Sequence, residues 1–380
     1  MEKDIDIIIY GATGFTGKLC VKYFQSLNTT VTWAMAGRNL IKLQKVADDH
    51  QAKVEILLAD SDDESALDNL TSRARVILST TGPFHRYGSK LVASCIKNHA
   101  HYVDITGENF WVKGLIEKHH AEASAKGIRI IPSCGFDSIP SDLGAFFSAQ
   151  AIGKPIKRIE SFHSYKGGAS GGTLETMFSM GELDLGDDLT DPFLLNPKDS
   201  YSNEQKQLSS DRVGIARKPE ISAWSGPFIM ATANTRVVRR TEALLALRQE
   251  SYGTDFTYQE HAFHKSWFSA VKSLLLTGLS VLVLLSPLKR LVKPFLPKPG
   301  EGPSEAVQEN GWFDCKFIAE SEDGTKSVFN MHGKGDPGYK VTSKLVSECA
   351  LCLIEDIEEL PGGRGYGGVL TSASGLGHSL

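Results

Sequence analysis

The chain has 380 residues with 41% hydrophobic and 23% charged content, a globular balance, and it is too long for one ordinary core. A net charge of −4, with no long basic run and no basic patch interleaved with aromatics, argues against nucleic acid as a partner. Six scattered cysteines fit a reducing compartment, and the sequence enters a strand at once with no signal peptide, so it reads as cytoplasmic.

The first element is the most informative. Asp6-Ile-Ile-Ile-Tyr10 leads into Gly11-Ala-Thr13-Gly14-Phe15-Thr16-Gly17, and Leu19, Cys20, Phe24 and Leu27 then recur at helical steps. Strand, glycine turn and helix together open a dinucleotide-binding fold. Gly11 permits the tight turn, Gly14 lets backbone approach a pyrophosphate, and Gly17 lets helix pack on strand. The N–H groups at the helix start favour an anion there. The second strand, Trp33-Ala-Met-Ala-Gly37, ends in Arg38-Asn39. An acidic residue at this place would hold a free ribose 2′-hydroxyl; Arg38 instead suits a 2′-phosphate, which points to NADP.

Val54–Ala59 reads as a third strand, with Asp60 and Ser61 at its end able to reach the adenine edge or to cap the next helix. Arg75–Ser79 is a fourth strand running into Thr80-Thr81-Gly82-Pro83, a turn that would flank the nicotinamide. Helices at Tyr87–Lys97 and Phe110–Lys126 alternate with strands at His101–Ile105 and Ile128–Pro132, a run of βαβ units. Three side chains stand out as acid–base candidates. Tyr87 opens a helix and could donate a proton. Glu108 ends the alternating triplet Asp104, Thr106, Glu108 at a strand end, where it acts as an acid–base group or caps the next helix. Asp137, in Cys134-Gly-Phe-Asp-Ser-Ile-Pro140, orients substrate or caps.

Beyond residue 133 the pattern changes. Ile156–Lys166 reads as a long strand, followed by Ser170-Gly-Gly-Thr173 before a helix, a turn able to hold a carboxylate or phosphate. Strands are expected at Phe228–Thr235, Asp255–Phe263, Trp312–Ser321 and Lys326–His332, which make a largely antiparallel second sheet. Pro294–Pro303 reads as a linker and Gly338–Ile357 as a helix. Cys349-x-x-Cys352 lies in an apolar helical run and reads as core packing. Neither His119-His120 nor His261-x-x-His264 has a third ligand nearby, so no metal is expected. Ser273–Leu288 is a charge-free apolar helix between Lys272 and Lys289-Arg290. Up to Pro287 it spans about 21 Å, short of the roughly 30 Å of a bilayer core. It is therefore buried in the core or at a homodimer interface, or it lies in a membrane surface as a peripheral contact.

Gly11–Gly17, Ala36-Gly-Arg38, Thr81-Gly-Pro-Phe84, Tyr87-Gly88, Tyr102-Val-Asp-Ile-Thr-Gly-Glu108, Gly135–Asp142, Ala169–Thr173 and Gly333-x-Gly-Asp-Pro-Gly-Tyr339 occur in this order. As an ordered set over the whole chain they resemble the saccharopine dehydrogenase-like oxidoreductases, a group that includes bacterial trans-acting enoyl reductases. The resemblance implies an α/β fold: a Rossmann-type doubly wound parallel sheet over residues 1–133, a second α+β domain over 134–337, and a segment 338–380 returning to the first. It also implies a nicotinamide cofactor. The expected activity is hydride transfer between NADP and a carbonyl, imine or activated alkene. The apolar helix favours a lipid-like acyl substrate. Two rivals are a secondary-amine substrate of the saccharopine kind, whose carboxylates Arg236, Arg239 and Arg240 could meet, and a non-catalytic NADP-binding sensor at a membrane surface.

Overall fold

The computed structural model describes residues 3–168, 170–181, 183–286, 297–298 and 300–380. Strands β1 (Ile5–Tyr10), β2 (Trp33–Gly37), β3 (Glu55–Leu58), β4 (Ala74–Ser79), β5 (His101–Asp104) and β6 (Arg129–Ile131) alternate with helices. The remaining strands are β7 (Ile156–Lys166), β8 (Ala216–Lys218), β9 (Ala223–Gly226), β10 (Thr257–His264), β11 (Trp312–Ser321), β12 (Lys326–Lys334) and β13 (Gly368–Val369).

The first sheet has the order β13-β6-β5-β4-β1-β2-β3, and all its pairs are parallel. Helices cover both faces, so its strands need no polar alternation: Ile7, Ile8 and Ile9 in β1 and Ile77 and Leu78 in β4 are wholly buried. The order reverses direction between β1 and β4, which places a crevice beyond the carboxyl ends of those strands. The second sheet runs β12-β11-β7-β10-β9-β8. It is antiparallel except at its centre, where β7 and β10 pair in parallel. Helix Ile139–Ile152, almost entirely buried, lies against this sheet so closely that a Cβ on Gly144 would sit 2.1 Å from the Phe317 ring.

The stretch Phe228–Thr235, expected as a strand, is a turn and then the start of helix Ala231–Ala246. Its β-branched content is outweighed by the helical pattern of the next three turns. Val237, Val238, Leu244 and Leu245 form a buried stripe, and Thr235 Oγ1 bonds the Ala231 carbonyl one turn back at 2.7 Å. The helix expected from Tyr87 divides into Phe84–Tyr87 and Ser89–Lys97. The one expected from Gly338 opens as a wide turn, Pro337–Val341, before Thr342–Glu355. Cys349 and Cys352 are buried free thiols, and burial raises both well above the usual thiol range.

A cleft built from strand ends

A cleft of about 490 Å3 opens at the carboxyl ends of β1, β2 and β4 to β6. Its first wall is the turn after β1. Gly11 has φ +87°, a left-handed conformation, and a Cβ there would meet Thr81 Oγ1 at 2.3 Å. A Cβ on Gly17 would fall 2.3 Å from the Gly11 carbonyl, so helix Phe15–Ser26 can reach the turn only with glycine at that position. Gly14 differs: its added Cβ would have one neighbour within 4 Å, the Gly11 carbonyl at 3.3 Å, and would otherwise project into the cleft. No side chain caps this helix, which leaves its first-turn N–H groups for a ligand. Thr13, Phe15 and Thr16 line the same wall, and Gly17 stands behind it.

Arg38 comes after β2, exposed, and lines the cleft with Ser61. Asn39 and Asp60 do not line it. Asn39 Oδ1 caps helix Leu40–His50 by accepting from Lys42 N at 2.9 Å, and Asp60 Oδ1 accepts from Asp62 N at 3.0 Å. The cap of helix Glu64–Arg73 is Asp63, later in the chain than Asp60 and Ser61.

At the end of β4, Thr80 donates its N–H to the Tyr10 carbonyl (2.9 Å) and its hydroxyl to the Gly11 carbonyl (3.1 Å), joining the two strand ends. Thr81 and Gly82 line the cleft, with the buried Thr81 hydroxyl unpartnered among the described residues; Pro83 is buried and precedes helix Phe84–Tyr87. Tyr87, Glu108 and Asp137 come after β4, β5 and β6 in turn, and all three line the cleft. They differ in what their polar atoms do. Glu108, fully buried, accepts from Phe84 N and His85 N at 2.8 Å and from His85 Nδ1 at 2.7 Å. Its carboxylate caps the short helix before Tyr87, not the one after itself, and has little capacity left for substrate. Asp137 has no hydrogen bond to its carboxylate among the described residues, and burial, with the Glu260 charge nearby, raises its pKa to about 6. Behind them, Asp104 Oδ1 accepts from Thr106 N (2.9 Å) and Ser133 N (3.0 Å), tying β5 to the turn after β6; burial raises its pKa to about 7.

The opposite wall comes from parts of the chain far apart in sequence. Helix Gly171–Met180 contributes Thr176, Met177 and Met180, and the turn after β9 contributes Ile229 and Met230. No pattern marks these residues: Met177 and Met180 lie fifty positions or more before Met230, and only the fold brings them together. The Ser170–Thr173 turn does not present a free anion site. Ser170 N donates to Tyr339 Oη, Gly171 N to the Glu301 carbonyl (3.1 Å) and Thr173 N to Ser170 Oγ (3.3 Å). Of the stretch expected as a linker, 294–296 and 299 lie outside the described residues, and the described part, 297–298 and 300–303, borders the site. A Cβ on Gly302 would strike the Phe15 ring at 2.6 Å, one on Gly171 the Lys298 carbonyl at 2.1 Å, and Gly300 lines the cleft. Asp336 secures this corner by accepting from Gly168 N (2.8 Å) and Tyr339 N (2.9 Å).

Arg236, Arg239 and Arg240 are each about 1% exposed and turned away from the cleft. Arg236 pairs with Asp211, Arg239 donates to the Pro192 (2.8 Å) and Tyr258 (2.7 Å) carbonyls, and Arg240 donates to those of Leu195 and Val369. Among the described residues, Arg38 is the one cationic side chain lining the cleft, and no group of three His, Cys, Asp or Glu is placed to hold a metal.

A parallel sheet with a glycine-walled crevice, an uncapped helix start and an arginine after β2 make a dinucleotide-binding site suited to NADP, and the chain's relatives place it among the NADP-dependent oxidoreductases. The saccharopine dehydrogenase NADP-binding domain matches residues 7–131. Over its full length the chain is 35% identical to a Mycobacterium tuberculosis protein provisionally named a trans-acting enoyl reductase, covering 94% of that protein. It is 32% identical to the trans-acting enoyl reductase of Mycobacterium leprae, again over its full length and 95% of the relative. Saccharopine dehydrogenase (L-Glu forming) of Saccharomyces cerevisiae shares the fold, with a TM-score of 0.50 at 12% identity over 97% of this chain and 94% of that one. The chain belongs to the saccharopine dehydrogenase-like family that includes the trans-acting enoyl reductases. The site fits the cofactor: Gly14 leaves open space at the helix start where a Cβ would intrude, and Arg38, exposed after β2, is a cation lining the same cleft and able to meet a 2′-phosphate.

Proposed function

We propose that this oxidoreductase reduces the activated carbon–carbon double bond of a lipid-like acyl substrate, with NADPH as reductant. The observation that carries this reading is the apolar lining of the cleft: Met177, Met180, Ile229 and Met230 line the same cavity as Thr81 and Gly82, and a Cβ on Gly82 would lie 3.7 Å from Thr176 on the methionine helix. Methionine suits a flexible hydrocarbon chain because its thioether is soft and unbranched. A substrate bearing several carboxylates would need cations there, and the three helix arginines are held by backbone carbonyls and Asp211 instead.

The bound cofactor supplies the hydride. The protein's own residues then have three tasks. The glycine turn and the helix start would hold the pyrophosphate, and Thr80 and Thr81 would flank the nicotinamide end. Tyr87, kept in place because Glu108 caps its short helix, donates a hydrogen bond to the substrate carbonyl oxygen. Asp137, whose acid form persists to about pH 6, gives the proton that completes the reduction.

The test is NADPH oxidation with 2-enoyl thioesters of increasing chain length, beside keto acids supplied with an amine. The reading expects turnover of the enoyl thioesters, improving with chain length. Turnover of the keto acid and amine alone would establish the saccharopine-type reading in its place.

A further inference from the structure

Helix Trp267–Leu285 plays no part in the proposed chemistry, yet it carries a cluster of exposed large apolar side chains among the described residues. One side packs on β9 and β10, with Ala270 wholly buried. The other side is exposed to solvent: Phe268 is 78% exposed, Leu275 68%, Leu279 57% and Leu282 61%, with the partly exposed Trp267 and Leu276 at the margins. At roughly 100° per residue these side chains cover an arc about 180° wide. The helix is thus not buried under its own domain, one of the outcomes its composition allowed.

Three observations say what covers it. From His261 to Gly300 the sequence has six Lys and Arg and no Asp or Glu, in a chain of net charge −4. Lys272 is exposed within the apolar arc itself. No helix among the described residues is long and apolar enough to cross a membrane. We propose that this face docks on a lipid bilayer with anionic headgroups, the leucines and Phe268 entering the interface and the lysines meeting the headgroups. A second copy of the chain fits less well. Lys272 stands within the arc and would be buried in a helix–helix contact, and so wide an arc exceeds a narrow two-helix seam.

The position of the helix gives the docking a use. β9, beneath it, runs on to Ile229 and Met230 in the cleft wall, while Lys298 and Gly302, downstream of the helix, lie against the Ser170–Thr173 turn and Phe15. The strand beneath the helix and the chain downstream of it therefore both reach the walls of the cleft. Delivery of an acyl substrate from the lipid rests on the enoyl reductase reading; the docking does not.

The test is co-sedimentation of the full chain with vesicles of phosphatidylcholine, with and without phosphatidylglycerol, alongside sedimentation velocity without lipid. Binding is expected only with phosphatidylglycerol, weakening as salt rises. The variant Phe268→Gln/Leu275→Gln/Leu279→Gln, altered only at exposed sites, should lose about 100-fold or more of the partitioning, and Lys265→Gln/Lys272→Gln about tenfold. NADPH binding should be unchanged in both, which certifies the fold. Failure of wild type to bind either vesicle, or unchanged binding by the triple variant, overturns the proposal. So does a dimer that the triple variant dissolves, which assigns the face to a second copy. Vesicle binding without enoyl thioester turnover would leave the docking standing and remove the activity.

Discussion

The two ends of the cleft are made in different ways. The cofactor end is a backbone structure: glycines at 11, 14 and 17, helix-start N–H groups and strand-end threonines, nearly all within single short stretches of sequence. The other end, proposed above for the substrate, is a side-chain structure, assembled from helix Gly171–Met180, the turn after β9 and the chain around Gly300. The backbone end has little tolerance, since an added Cβ at Gly11 or Gly17 meets an atom at 2.3 Å. The side-chain end is lined by residues that can be exchanged without moving the chain. One end fixes a common cofactor, and the other is where relatives of the same fold can diverge in substrate.

Substitutions can set the two ends apart. The largest effect is expected from Gly14→Val, whose Cβ would lie 3.3 Å from the Gly11 carbonyl, a small shift, while the rest of the side chain projects into the cleft. NADPH binding measured by fluorescence should be lost while thermal melting stays close to wild type, because Gly14 has an ordinary φ of −70°. Next is Asp137→Asn. Turnover should fall about 100-fold or more if Asp137 is the general acid. In wild type, kcat/KM should be level at low pH and decline as pH climbs through about 6, where the acid form is lost. The stability sign is opposite to that of an ion-paired carboxylate. The folded pKa lies above the unfolded one, so stability falls as pH rises from about 4 to 6 and is not regained above. Asp137→Asn should therefore be the more stable protein at pH 7, by about 1–2 kcal/mol in denaturant titration. A variant both inactive and destabilised would mean that Asp137 serves the fold.

A smaller change is expected of Arg38→Ala, which should weaken NADP by about 1–3 kcal/mol and leave NAD nearly untouched. Equal loss for both would place the 2′-phosphate elsewhere. The smallest belongs to the substrate end. Met180→Ala should raise KM for long-chain enoyl thioesters by about 1 kcal/mol in free energy and spare short ones. An effect independent of chain length would mean that the methionine wall does not hold the chain.

The same contrast decides how much of the molecule is legible in its sequence. Local backbone requirements are written locally, and the Gly11–Gly17 turn, β7 and β11 lie where the sequence places them. Arg38 is legible because its position is counted from the glycines. Glu108 is legible as a residue of the site but not in its use: that its carboxylate caps Phe84–Tyr87 depends on β4 and β5 being neighbours. The methionine wall and the part played by Lys298, Gly300 and Gly302 depend on contacts between distant segments, and a Pro/Gly-rich stretch carries no sign that its glycines are needed for close approach. The mistaken strand at Phe228–Thr235 has the same origin. Single-residue strand preference takes no account of the buried arginines downstream, whose carbonyl partners anchor that segment as a helix.

The burial of Arg129 bears on how the chain is made. This residue of β6 is wholly enclosed, and its guanidinium donates to the carbonyls of Pro361 (3.0 Å), Gly363 (2.6 Å) and Gly375 (2.6 Å). Next to it β13 adds the edge strand of the same sheet, and Asp142 accepts from Thr241, Ser372 (2.8 Å) and Ala373 N (2.8 Å). On the ribosome the chain emerges from its N-terminus, so β1 to β6 appear first. Until some 240 further residues have been synthesised, Arg129 lacks its full set of acceptors. The sheet that is translated earliest is thus completed last, and the nascent first domain must wait with an open edge and a hydrated guanidinium where the finished protein has a closed core.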